Sequence, residues 1–112
     1  MANWDILKDE YANNLDPNFE DIQSLFLSGK INKMYQLVKR SPTKVSKLLG
    51  INYEAYHSKL QNPEKFTIFH INIMAYAFRI DPDIILNVIQ KEIKDKVKVK
   101  VKKFEQKKMI KD

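Results

Sequence analysis

Apolar residues recur along this chain at three- and four-residue intervals, in short runs closed by Gly, Asn or Pro. Such spacing predicts short amphipathic helices. The first clear run is Phe19, Ile22, Leu25 and Phe26. Asp16-Pro17 stands before it, an acceptor for the first free N–H groups followed by a residue with preset φ and no donor, and Gly29 supplies a left-handed stop. Further upstream, Trp4, Leu7 and Tyr11 fit a short helix ended by Asn13-Asn14. From Ile31 the pattern is dense. Ile31, Met34, Tyr35 and Val38 predict one inward stripe, with Lys30, Lys33, Lys39 and Arg40 outside it. Ser41-Pro42 is a second cap-plus-Pro start, opening a very short helix with Val45, Leu48 and Leu49 inward and Gly50 as its stop.

Asn52 reads as the N-cap of the next helix, with Tyr56 and Leu60 as its buried pair. Asn62-Pro63 breaks that helix and starts a loop to Phe66. Thr67 caps a helix with Ile68, Ile71, Met74, Ala75 and Phe78 inward, and Asp81-Pro82 opens a last one carrying Ile85, Leu86, Ile89 and Ile93. Short helices joined by a few residues predict an all-α orthogonal bundle rather than long parallel rods. Residues 94–112 admit three readings. Ile89, Ile93, Val97, Val101 and Phe104 extend the last helix; ten Lys from residue 91 onward fit a disordered tail; Val97, Val99 and Val101 alternate with Lys as a strand does. Helix ranks first, then disorder, then strand.

Composition narrows the function classes. A chain of 112 residues fits one small domain, and 44% hydrophobic content is enough for a packed core. The absence of cysteine excludes disulfides, thiolate catalysis and Cys-based metal sites. The longest apolar stretch, Phe66 to Ile80, is interrupted by His70, Asn72 and Arg79, so no membrane span is expected. The opening residues lack the basic start and apolar run of a signal peptide, which predicts a cytoplasmic location. His57 and His70 fall on different helices without an arranged carboxylate set, so no metal site or cofactor is expected. Neither a paired-carboxylate site nor a Gly-rich phosphate loop stands out, and the chain is not expected to be an enzyme.

The net charge of +6 is unevenly placed. Residues 1–27 carry six acids and only Lys8, residues 28–90 carry nine bases and four acids, and residues 91–112 carry ten Lys and four acids. The organisation expected is an acidic helical segment at 1–29, a basic domain at 30–93 and a Lys-rich tail at 94–112. Between Lys30 and Lys65 eight bases face only Glu54 and Glu64, which points that part of the domain toward a polyanion.

The stretch Ser41 to Leu60, SPTKVSKLLGINYEAYHSKL, holds a short helix, a Gly turn and a second short helix. That is the helix-turn-helix arrangement. Ser46, one turn before Gly50, must be small for the second helix to cross it closely; Ile51 turns inward; Tyr56 and Leu60 anchor the second helix. From about Ile31 to Ile89, through VSKLLGINYEAYHSKL, the NPEKFT loop and IDPDIILNVI, the sequence resembles the Cro/C1-type (Xre) helix-turn-helix family of phage repressors and bacterial regulators. It departs from that family at Pro42, where Gln is frequent, and at His70, where a Glu often completes a capping box.

The resemblance implies a lambda-repressor-like five-helix bundle with an extra N-terminal helix and a Lys-rich C-terminal extension. It also implies a sequence-specific double-stranded DNA-binding transcriptional regulator, acting as a homodimer with the helix of residues 52–61 in the major groove. Asn52, Tyr53, Glu54, His57 and Ser58 are then the base-facing residues, with Asn suited to adenine and Glu to the cytosine amine. Thr43, Lys44, Lys47, Lys59 and Lys65 are the phosphate contacts. The alternative is a protein-interaction module, antitoxin-like or an adaptor, that keeps the fold without reading bases. Pro42, Glu54 and the acidic segment motivate it. In a third reading the Lys tail alone binds RNA or anionic lipid without specificity.

Overall fold

The computed structural model describes residues 15–111, and the segment with Trp4, Leu7 and Tyr11 lies outside them. The described chain is all-α. Its helices are α1 (Glu20–Leu27), α2 (Pro42–Leu49), α3 (Tyr53–Gln61), α4 (Ile68–Phe78) and α5 (Pro82–Lys111). Short 3-10 helices lie at Pro17–Phe19, Met34–Lys39 and Pro63–Lys65. There is no strand among the described residues.

Asp16 accepts from the Asn18 backbone N–H, but Pro17–Phe19 forms a 3-10 turn before α1 begins. Phe19, Ile22 and Phe26 are buried, and both phenylalanine rings pack on Phe78 of α4, at 5.1 and 6.4 Å between centroids. The part of the acidic segment described here is therefore built into the core through its apolar face. Three helix ends share one hydrogen-bond pattern. The N–H groups of Lys30, Ile51 and Ile80 return to the carbonyls of Leu25, Ser46 and Ala75, each closing a Schellman turn. The left-handed residue in these turns is Gly29, Gly50 and Arg79, at φ 73°, 71° and 59°.

Several expectations need correction. The stretch after Ile31 forms a 3-10 helix, and its inward set is Ile31, Met34 and Leu37 rather than Ile31, Met34, Tyr35 and Val38. Side chains three apart eclipse one another in a 3-10 helix, so a strict three-residue interval points inward and Tyr35 is turned to solvent. Ser41 does not cap α2 through its side chain: it is left-handed at φ 48°, and its hydroxyl reaches the Asn18 carbonyl at 3.4 Å. Ile68 is 78% exposed, because the first turn of α4 stands clear of the core that Ile71, Met74, Ala75 and Phe78 enter. Leu86 is exposed too, leaving Ile85 and Ile89 as the buried pair of α5, with Ile93 partly buried behind them.

Of the three readings of the tail, the helix is the one observed: α5 runs unbroken to Lys111. Its first part packs on α4, α1 and the Pro63–Lys65 turn. Glu92 Oε1 accepts from the Met34 N–H at 2.9 Å, which joins α5 to the start of the 3-10 helix. Beyond Lys94 every described side chain is exposed, including Val97, Val99, Val101 and Phe104. Among the described residues no helix is long and apolar enough to cross a membrane.

Candidate nucleic-acid interface

The corner between α2 and α3 is built as the residue types require. Gly50 N–H donates to the Lys47 carbonyl at 3.1 Å, and Ile51 is partly buried against the core. Ser46 is buried, and its hydroxyl donates to the Thr43 carbonyl at 2.8 Å, so a small polar side chain sits here with its hydrogen bond satisfied inside its own helix. Asn52 caps α3: its side-chain oxygen accepts from the Ala55 N–H at 2.7 Å. Tyr56 and Leu60 are fully buried, with the Tyr56 ring edge-on to Phe66 at 6.4 Å.

Fixing Tyr56 and Leu60 inward orients the rest of α3. Asn52, Tyr53 and Glu54 are exposed and His57 and Ser58 partly so, which places all five candidate base-facing residues on or beside one accessible helix face. Asn52 is already engaged through its oxygen, so its amide N–H groups are what remains for a ligand. The residue that sequence reasoning misplaced is Tyr35. It is 42% exposed, and its phenol oxygen lies 3.4 Å from His57 Nε2. The signal that finds it is the interval of three between Ile31, Met34 and Leu37, which leaves Tyr35 off the inward line.

The candidate phosphate contacts divide into two groups. Thr43, Lys47 and Lys65 are exposed. Lys44 is 2.5 Å from Asp16 and sits over the Phe19 ring, while Lys59 Nζ, partly buried, donates to the Lys65 carbonyl at 2.9 Å. The hydrogen bond from Lys44, and then that from the Asn18 backbone, hold the Asp16 carboxyl below its ordinary range. Arg40 makes a comparable pair with Asp21 at 2.6 Å. Two acids of the N-terminal segment thus offset two cations next to the start of α2.

Two buried polar atoms have no hydrogen-bond partner among the described residues: the Tyr56 hydroxyl and His70 Nδ1. Burial pushes the Tyr56 phenol up. Desolvation, with Lys59 adding repulsion, pushes the His70 imidazole down, so it stays neutral to lower pH than a free histidine. His70 contributes its backbone N–H to the Thr67 side chain, at the position where a capping box would carry Glu. No group of three or more His, Asp or Glu side chains among the described residues is placed to hold a metal ion. Neither a protein-family model, nor a characterised protein, nor a solved structure matches the chain.

Proposed function

We propose that this chain is a double-stranded DNA-binding regulator of lambda-repressor-like architecture, with α3 entering the major groove. The observation that carries this reading is the accessible face of α3. Asn52, Tyr53, Glu54, His57 and Ser58 lie outward on a helix held by buried Tyr56 and Leu60, behind a left-handed Gly50 corner, in a segment of local positive charge. A homodimer would place two copies of this helix on half-sites about one helical turn apart. Thr43, Lys47 and Lys65 meet phosphates directly, and Lys44 joins them by exchanging Asp16 for a phosphate.

Selection of bound duplexes from a random library, followed by affinity measurements at two salt concentrations, tests this. Neutralisation of phosphates by five of the eight bases between Lys30 and Lys65 gives a slope of log affinity against log salt of about −4 to −5, less steep by about one if Lys44 keeps Asp16. Absence of salt-sensitive binding to every duplex would sink the reading. A second reading, a protein-interaction module that has lost base recognition, draws support from the pairs Asp16–Lys44 and Asp21–Arg40, which mask cations a DNA-binding face needs. It predicts a stoichiometric protein partner, with Asn52→Ala and His57→Ala both silent toward DNA.

A further inference from the structure

Tyr35 and the outward face of α3 meet at one imidazole. The Tyr35 ring approaches His57 edge-on, with centroids 5.6 Å apart and planes at 77°, and its hydroxyl is 3.4 Å from Nε2. Tyr53, one turn earlier on α3, lies nearly parallel to the same imidazole at 6.1 Å and 25°. Both tyrosines remain exposed, so His57 is held by two rings at the surface rather than by the core. The two contacts come from different elements, the 3-10 helix and α3, which pack against each other. The position of the imidazole is therefore a property of the fold and not of α3 alone.

A neutral imidazole has one donor and one acceptor nitrogen, and the partner of one decides the state of the other. With the Tyr35 hydroxyl as the donor across this 3.4 Å contact, Nε2 is the acceptor nitrogen. The ring proton is then on Nδ1, leaving a single defined donor for a ligand. Glu54 lies three residues before His57 on the same helix and is exposed. Ionised, it is only an acceptor. A donor held in place by Tyr35 and an acceptor three residues away on the same helix match the major-groove edge of a G·C pair, where guanine presents N7 and O6 acceptors and cytosine an amine donor. This also gives Glu54 a reason to face a polyanion.

Building on the DNA reading of α3, we propose that Tyr35 is a positioning residue that fixes His57 as an Nδ1–H donor. His57 and Glu54 then direct the helix to a G·C pair in each half-site. The test uses the full chain. Duplexes selected from a random library should carry G·C at one position per half-site. Tyr35→Phe keeps the ring and removes the hydroxyl, and it should reduce the preference for guanine there by roughly five- to tenfold, with little change in affinity for unselected duplex. Placing 7-deazaguanine at that position should weaken wild-type binding by a similar factor and add little in the Tyr35→Phe protein. The wild-type arm of that comparison alters only the DNA and is independent of protein folding. Nitrogen-15 spectra of the imidazole should report a protonated Nδ1 in the wild type and a tautomer mixture in Tyr35→Phe. A protonated Nε2 in the neutral wild type, or selected sites whose guanine preference is unchanged by Tyr35→Phe, overturns the proposal and leaves α3 as a DNA-binding helix. Failure to bind any duplex overturns the DNA reading and this proposal with it.

Discussion

Gly50 is left-handed at φ 71°, and a Cβ added there would meet no heavy atom within 4 Å. The requirement for glycine is conformational rather than steric, so Gly50→Ala should cost about 1–2 kcal/mol in urea unfolding without disturbing packing. Arg79 adopts the same conformation at φ 59° without being glycine. Its guanidinium donates to the Tyr76 and Ala77 carbonyls in the last turn of α4, beside the Arg79 backbone N–H that already reaches Tyr76, and this offsets the backbone cost. No glycine marks that helix end, so the stop is visible in the sequence only from the far side, through Asp81-Pro82. Tyr56 makes the opposite case: its ring is required and its hydroxyl is not. Tyr56→Phe should keep or raise stability by about 1 kcal/mol, because it removes a buried polar atom that meets no partner among the described residues. The phenol is raised in the folded state, so its contribution is fully present below the unfolded value, about 10, and is lost as pH rises above it. Unfolding measured from pH 9 to 11 should show a shallower alkaline loss in Tyr56→Phe than in the parent.

Element boundaries followed the capping chemistry. Asn52, Thr67 and Asp81 each accept a backbone N–H at the helix start assigned to them, and Pro42 and Pro82 are first helical residues. Ser41 is the exception. Its side chain is drawn to the Asn18 carbonyl across the chain, a contact that no local pattern contains. The segment after Ile31 is the other: its apolar residues fit both a 3.6- and a 3.0-residue period. One long-range contact and one local one decide: Glu92 on α5 holds the Met34 N–H, and Gln36 folds back onto the N–H groups of Asn32 and Lys33 and the Lys30 carbonyl. Glu92→Ala should therefore destabilise the protein by about 1–2 kcal/mol, while Glu92→Gln, which keeps an acceptor, should cost less; chemical denaturation of the two variants makes the comparison.

Across the whole molecule, charge is what the structure redistributes. Residue counts separate an acidic start from a basic middle, but Asp16 and Asp21 are seated beside Lys44 and Arg40. These exposed pairs contribute little to stability, and their effect is on what the surface offers a ligand. In Asp16→Asn with Asp21→Asn, the salt slope for duplex binding should steepen by about one for each cation released, with little change in melting temperature; an unchanged slope would show that these cations do not reach phosphate. The Lys-rich end of α5 extends the molecule to 59 Å in its longest direction. An ion pair, Glu64–Lys96 at 3.2 Å, ties its base to the turn that follows α3. The Glu64 carboxyl is held low first by its own backbone N–H and then by Lys96.

What the sequence determined by itself is local. Caps, prolines and the two left-handed glycines set the helix starts and two of the stops, because each acts within one turn of the backbone. The four-residue interval of Tyr56 and Leu60 sufficed to orient α3, since two buried side chains on a short helix fix its rotation. The outward set Asn52, Tyr53, Glu54, His57 and Ser58 follows from that alone. Tertiary structure decided what depends on partners far along the chain. It turned Tyr35 out to His57, left Ile68 and Leu86 uncovered, moved the Ser41 hydroxyl to Asn18, and engaged Lys44 and Lys59 before any ligand arrives. Periodicity assigns a face to each residue, but whether that face is covered, and by which charge, depends on the element packed against it.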